Sequence, residues 1–311
     1  MSVAPESGLS AARLIDPRAL MGIRSLELRA RAVVEGFWSG LHRSPYHGFS
    51  VEFTEYRQYT PGDDPRYIDW RVFARSDRYY LKRYEDETNL RCHILLDRSR
   101  SMEFGTTGHT KADYAATLAA TFAHFLHQQG DAIGLMTFDE QVRELLPARH
   151  RPGHLRHVYH AIESPAAGTS TQLGKPIGRA ADLLHTRGMV IVLSDFLADP
   201  AELEKPLLRL AAIGHEICAF QVLDPSERDF SFRESSLFED AESGTTLHID
   251  PAAARAGYLQ RFNAHQQALA SVCARVGVSW HPLVTDRPLG MALFDFLQDR
   301  ARRGRIIRRA S

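Results

Sequence analysis

Two aspartates and two serines stand where they could bind a metal ion. Asp97 closes an apolar stretch, and Ser99 and Ser101 follow it at alternate positions, so their hydroxyl groups can point the same way. Asp195 closes a second apolar stretch, VIVLSDF. Carboxylates with hydroxyls, and no histidine or thiol among them, suit a hard cation such as Mg²⁺, although Mn²⁺ and Ca²⁺ accept the same oxygen ligands.

A third hydroxyl group is available in the stretch AGTSTQLG. Either Thr169 or Thr171 could supply it, because both come shortly before a predicted helix. The candidate site therefore joins three separate parts of the chain, and a fold must bring them together.

From Arg91 onward, apolar runs alternate with amphipathic helical patterns, which predicts a doubly wound, mostly parallel, six-stranded α/β sheet of Rossmann-like type. The predicted strands are 92–96, 131–138, 142–146, 190–193, 216–223 and 278–284. The third is expected to fold back on the second as a hairpin. In the usual strand order for this pattern, the strands that precede Asp97 and Asp195 are neighbours, so both carboxylates face one crevice beyond the strand ends.

Helical patterns separate these strands and also precede them. The predicted helices are 26–40, 111–129, 154–162, 173–184, 201–212, 252–276 and 291–302, and a further hairpin is predicted within 230–250, turning at 242–244. We divide the chain into an N-terminal helical and extended segment (1–90) docked on the sheet, the sheet domain (91–303) and a basic tail (304–311).

Composition excludes several classes of protein. The 38 basic and 38 acidic residues balance, so no net charge attracts nucleic acid or an anionic membrane. Cys92, Cys218 and Cys273 have no metal-ligand spacing and are expected to be reduced packing residues. The start lacks a signal-peptide pattern, and no apolar run is long enough to span a membrane, which predicts a cytoplasmic protein.

The stretch GFSVEFTEYRQYTPGDDPRYIDWRVFARSDRYYLKRYEDE, with LLDRSRSM shortly after it, resembles a bacterial and archaeal family catalogued as domain of unknown function fifty-eight. The later residues 238–293 also resemble it. The resemblance implies a von Willebrand factor A-like fold with a metal-ion-dependent adhesion site. It further implies a non-enzymatic adaptor that works with a MoxR-type AAA+ ATPase in assembly or maturation of other proteins.

In such sites the two serines and the threonine coordinate the metal, the aspartates act directly or through water, and a partner's Asp or Glu supplies a further ligand. The resemblance thus implies a metal site of these residues: Asp97, Ser99, Ser101, Thr169 and Asp195. Thr169 is preferred because it follows the glycine, although Thr171 better matches a Thr-x-Leu helix start. Arg98 and Arg100 are a departure, since their charge either weakens cation binding or attracts an acidic partner.

Other functions fit the sequence less well. A Mg²⁺-dependent phosphoester hydrolase that uses the strand-end aspartates is the main alternative. The stretch GTSTQLGKP resembles a P-loop but has the wrong glycine spacing and Pro176 in place of the Mg²⁺-binding hydroxyl. Two further clusters contain side chains that can bind a metal. For His150, His154, His157 and His160, a solvated or interface helix face is the favoured interpretation. For Asp63, Asp64 and Asp69, a turn that docks the extension on the sheet is favoured.

Overall fold

The computed structural model describes residues 15–41, 55–58, 79–83, 90–164, 173–232, 236–239 and 245–310. The described strands are β1 (Glu55–Gln58), β2 (Tyr80–Arg83), β3 (Arg91–Asp97), β4 (Ala132–Phe138), β5 (Val142–Arg149), β6 (Met189–Ser194), β7 (Glu216–Leu223), β8 (Ser236–Glu239), β9 (Thr246–Ile249) and β10 (Ser279–Val284). The described helices are α1 (Pro17–Met21), α2 (Leu26–Leu41), α3 (Lys111–Gln128), α4 (His154–Glu163), α5 (Gly174–Leu183), α6 (Pro200–Ala212), α7 (Pro225–Asp229), α8 (Pro251–Val276) and α9 (Gly290–Ala310).

The predicted six-stranded sheet is confirmed, with strand order β10-β7-β6-β3-β4-β5. Neighbouring strands are parallel except β5, which folds back antiparallel on β4 as the predicted hairpin. The central strands read as continuous apolar runs because helices cover both faces of the sheet, so side chains pointing either way are buried.

Each face of the sheet has its own hydrophobic core. On one face, Ile94 and Ile191 pack with the apolar sides of α2, α3, α4 and α9. On the other, Leu95 and Val192 pack with α5, α6 and α8. Alternate residues of one strand therefore serve opposite cores, as the two-residue period of a strand requires.

The N-terminal helix α2 packs on α3, as the predicted docking of the extension requires. The ring of Phe37 makes an edge contact with Phe125 at 6.3 Å between centroids, and Trp38 stacks on the same ring at 5.6 Å. Burial of Ala30, Val33 and Val34 continues this contact along α2. Because Phe125 belongs to the core of the sheet domain, α2 is part of that core.

Several elements differ from the prediction. Helix α9 continues to Ala310, past the predicted end at residue 302, because arginine favours the helix and Gly304 does not stop it. The short helices α1 and α7 were not predicted; each is one turn long with a proline in its first turn and an aspartate cap, too short for a hydrophobic period. Strands β8 and β9 form the predicted hairpin, while its turn lies outside the described residues.

We expect Phe37→Ala to lower the free energy of unfolding by about 3 to 5 kcal/mol, because it leaves a cavity against Phe125. Urea unfolding monitored by circular dichroism measures the change. Leu28→Ala on the same helix is the matched control, since Leu28 is 55% exposed and its loss should cost under about 0.5 kcal/mol. Equal effects of the two substitutions would contradict the packing of α2 on the sheet domain.

Candidate metal centre

The candidate site lies at the switch point of the sheet, between β3 and β6. These strands are parallel neighbours, with Leu96 opposite Leu193. After β3 the chain crosses one face through α3 to β4, and after β6 it crosses the other face through α6 to β7. Crossovers that leave in opposite directions open a crevice at the carboxyl ends of the strands. Asp97 and Asp195 lie at this edge, so the predicted neighbour relation of their strands is confirmed.

Asp97 is held by hydrogen bonds from both sides of the crevice. Its Oδ1 accepts from the backbone N–H of Ser99 at 2.9 Å, and its Oδ2 accepts from the hydroxyl of Ser194 at 2.6 Å. The hydroxyl oxygens of Ser99 and Ser101 are 3.2 Å apart, so they converge as the alternate spacing predicts. Four predicted site residues thus gather in one place: Asp97, Ser99, Ser101 and Asp195.

The electrostatics of the crevice disfavour a charged Asp97. Burial, and secondly the nearby charge of Asp195, raise the pKa of Asp97 to about 7, although hydrogen bonds from Ser194 and Ser99 oppose the shift. A cation placed beside such a carboxylate would stabilise its charged form. The donor set of two carboxylates and two converging hydroxyls therefore fits a hard divalent ion.

The loop after Ser101 is anchored across the sheet edge. A short 3₁₀ helix, Arg100–Glu103, leads to Gly105, where a Cβ would lie 2.2 Å from the carbonyl oxygen of His109, so no other residue fits without a shift of the backbone. The next residue, Thr106, donates from its N–H at 2.8 Å and its hydroxyl at 2.6 Å to the carboxylate of Asp224 at the end of β7.

A strained turn presents Asp195. The next residue, Phe196, has φ of 54°, in the left-handed region that bulky side chains rarely adopt. Its ring is buried against Trp280, and the N–H of Leu197 donates to Oδ1 of Asp195 at 3.2 Å. Gln221 on β7 donates to the carbonyl oxygen of Asp195 at 3.0 Å. Strain held in place by such contacts is typical of functional sites.

Lys111 is a site residue that the sequence prediction missed. Its side chain is fully buried, and its Nζ donates to Oδ2 of Asp195 at 2.9 Å and to Oε1 of Glu227 at 2.6 Å. Burial opposes the charged form, but the two carboxylates outweigh it and raise the pKa of Lys111 to about 12. One signal was available: Lys111 is the first residue of α3, where the helix dipole disfavours a cation.

Arg98 does not carry its charge into the crevice. Its guanidinium donates to the carbonyl oxygens of Ile162 and Ser164, at the end of α4, the second of these at 2.6 Å. These contacts tie the loop that carries Asp97 and Ser99 to the last described residue before 165–172. Arg98 thus links the loop after β3 to the end of α4, whereas Arg100 is exposed.

Some of the remaining predicted residues lie outside the described part of the chain, whereas the histidine cluster lies within it. Thr169, Thr171 and the cluster Asp63, Asp64 and Asp69 lie outside the described residues. Within the described part of the chain, no group of three His, Cys, Asp or Glu side chains could hold a metal. A solvated or interface face was predicted for the histidines. His150, His157 and His160 are exposed, but the prediction is wrong for His154, which is buried and hydrogen-bonds through its ring to the carbonyl oxygen of Ile133.

Two global predictions can also be compared with the described residues. Cys92, Cys218 and Cys273 are free and buried, as expected of packing residues. No helix among the described ranges is long and apolar enough to cross a membrane.

Solved structures that superimpose on part of this chain include a von Willebrand factor A (VWA) domain. An aerotolerance-related membrane protein from Bacteroides fragilis superimposes with a TM-score of 0.48 at 14% identity, covering 65% of this chain and 96% of that one. The VWA domain of SpRpn10 superimposes with a TM-score of 0.39 at 14% identity, covering 66% of this chain and 94% of that one. The fold is the predicted α/β fold with a six-stranded, mostly parallel sheet.

Sequence relatives cover nearly the whole chain. An uncharacterised protein of Mycobacterium tuberculosis is 31% identical over 293 residues, which span 92% of this chain and 91% of the relative. The protein YeaD of Bacillus subtilis is 24% identical over 191 residues, which span 59% of this chain and 42% of that protein. Residues 55–268 match the model of the family described as "Protein of unknown function DUF58". With most of its length matched in this way, the chain belongs to the DUF58 family.

Proposed function

We propose that this protein is a non-enzymatic adaptor with a metal-ion-dependent adhesion site. Asp97, Ser99, Ser101 and Asp195 would hold the ion, with Thr169 as the further hydroxyl ligand. The observation that carries the proposal is the convergence of two carboxylates and two hydroxyl groups at the switch point of the sheet, where the hydroxyl oxygens of Ser99 and Ser101 are 3.2 Å apart. A bound Mg²⁺ or Mn²⁺ would offer a positive coordination position to a carboxylate from another protein.

The surroundings of the crevice support binding of a protein rather than a small substrate. Phe104, three residues after Ser101, is 38% exposed, and Leu197, two residues after Asp195, is 52% exposed. Exposed apolar side chains in the two loops that carry the ligands would contact the backbone around a partner's Asp or Glu. As the family resemblance implies, we propose a MoxR-type AAA+ ATPase as this partner, in assembly or maturation of other proteins.

Metal binding is tested by thermal unfolding of metal-stripped protein during titration with Mg²⁺, Mn²⁺ or Ca²⁺. We expect the melting temperature to rise, because an ion that binds only the folded state adds about 2.7 kcal/mol at a hundredfold excess over its dissociation constant. Asp97→Asn should abolish this rise, since it removes a central carboxylate.

The matched control is Asp139→Asn. Asp139 is equally buried and follows the neighbouring strand β4, but its carboxylate is bound to Arg143 at 2.6 Å and to the N–H of Gln141 at 3.0 Å. This variant should keep the metal-induced rise. The same rise in Asp97→Asn as in the wild type, or no rise in any form of the protein, would contradict the site.

Partner binding is tested by calorimetric titration of a MoxR-type ATPase from the same genome at constant Mg²⁺. We expect Asp97→Asn to weaken association at least tenfold, because the partner's carboxylate loses its positive acceptor, and Asp139→Asn to leave association unchanged. Equal affinity of Asp97→Asn and the wild type, at matched stability, would show that the contact does not pass through this site.

The hydrolase alternative separates from the adaptor by a turnover assay. With Mn²⁺ and p-nitrophenyl phosphate, we expect no hydrolysis above that of Asp195→Ala. Turnover by the wild type that this substitution removes would favour the hydrolase and contradict the adaptor.

A further inference from the structure

The buried ammonium group of Lys111 shares one carboxylate with the candidate metal centre. Its Nζ lies 2.9 Å from Oδ2 of Asp195 and 2.6 Å from Oε1 of Glu227, and its side chain is 0% exposed. Three elements meet there: the start of α3, the turn after β6 and helix α7. Neither carboxylate is near Lys111 in sequence, so the contact depends on the complete fold.

The position of Lys111 is unfavourable for a cation, so its contacts with the two carboxylates are needed for the fold. A cation at the first position of a helix opposes the helix dipole, and a buried ammonium loses its hydration. Both effects destabilise the folded protein unless carboxylates compensate them. Asp195 and Glu227 supply this compensation, so the charge of Lys111 is a fixed feature of the crevice.

Asp195 has no carboxylate oxygen without a protein donor. Oδ1 accepts from the N–H of Leu197 at 3.2 Å, and Oδ2 accepts from Lys111. A divalent ion that approaches Asp195 therefore meets a positive charge already bound there. Two cations on one carboxylate repel each other, and the repulsion is strong where water is excluded.

Glu227 offers Lys111 a second acceptor. Its Oε2 accepts from the N–H of Asp224 at 2.8 Å within the capping box of α7, which fixes the carboxylate in place. The hydroxyl of Tyr258 in α8 donates to the backbone carbonyl oxygen of Glu227 at 2.7 Å. If the contact with Asp195 weakens, the ammonium still has a largely buried, anchored carboxylate 2.6 Å away.

We propose that Lys111 is a resident cation that competes with the divalent ion for Asp195, with Glu227 as the acceptor that retains the ammonium when the metal is bound. This inference rests on the proposed metal site and adds a determinant of its affinity. In this arrangement Lys111 neutralises Asp195 when no metal is present, so the ion can leave without exposing two unpaired carboxylates to each other. Metal affinity then depends on how strongly the ammonium group of Lys111 binds Asp195 relative to Glu227.

The test measures Mn²⁺ dissociation constants by electron paramagnetic resonance at one fixed pH. Glu227→Gln should weaken Mn²⁺ binding severalfold, because Lys111 then depends on Asp195 alone. Lys111→Met should tighten binding at least tenfold, because Asp195 becomes available. A residue with a merely structural role would weaken binding in both variants, so opposite signs identify competition.

Lys111→Met leaves the partly exposed Glu227 without its cation. The double variant Lys111→Met/Glu227→Gln therefore provides a second measurement. It removes one positive and one negative charge together and should also bind Mn²⁺ more tightly than the wild type. Lys205→Met, at an exposed lysine of α6, is the control and should leave the constant unchanged.

The outcomes separate this inference from the proposed function. Mn²⁺ binding by the wild type with unchanged or weaker binding in the double variant would overturn the competition and leave the metal site intact. Absence of Mn²⁺ binding in the wild type and in every variant would overturn both.

Discussion

The parallel pairing of β3 with β6 is the constraint on which the candidate site depends. It brings Ser194 to within 2.6 Å of a carboxylate 97 residues away in the chain. Because the chain leaves these two strands in opposite directions, the helices that follow them lie on opposite faces of the sheet and a crevice forms between the strand ends. The strand order therefore places a buried acidic residue on each side of this crevice. The loops that follow these strands carry Ser99, Ser101 and Asp195.

Charge compensation is the second constraint at this edge. Two carboxylates buried together destabilise a fold unless a cation accompanies them. The protein supplies one in Lys111, which pairs with Asp195, while Asp97 receives only neutral donors. Burial, and secondly the charge of Asp195, raise the pKa of Asp97 to about 7, and the hydrogen bonds from neutral donors only partly oppose this shift. The pairing of Lys111 with Asp195 leaves Asp97, with the paired hydroxyls of Ser99 and Ser101, as the part of the crevice that most favours an added cation.

The sequence predicted what depends on local pattern and on strand order. Continuous apolar runs indicated the central strands, and the polar residue at the end of each run indicated the sheet edge at which Asp97 and Asp195 lie. The side chains that complete the site could not be found in this way, because their partners are distant: Lys111 is 84 residues from Asp195 and 116 from Glu227. Arg98 was open to misinterpretation for the same reason, since its acceptors lie 64 and 66 residues further on.

The most direct test of the account is a crystal structure of the protein soaked in Mn²⁺, with an anomalous difference map. The account predicts one strong peak in the crevice between β3 and β6, within bonding distance of the hydroxyls of Ser99 and Ser101 and close to Asp97. A peak elsewhere would contradict the account. So would a map at saturating Mn²⁺ that shows no peak beside those hydroxyls and leaves the hydrogen bond between them unchanged.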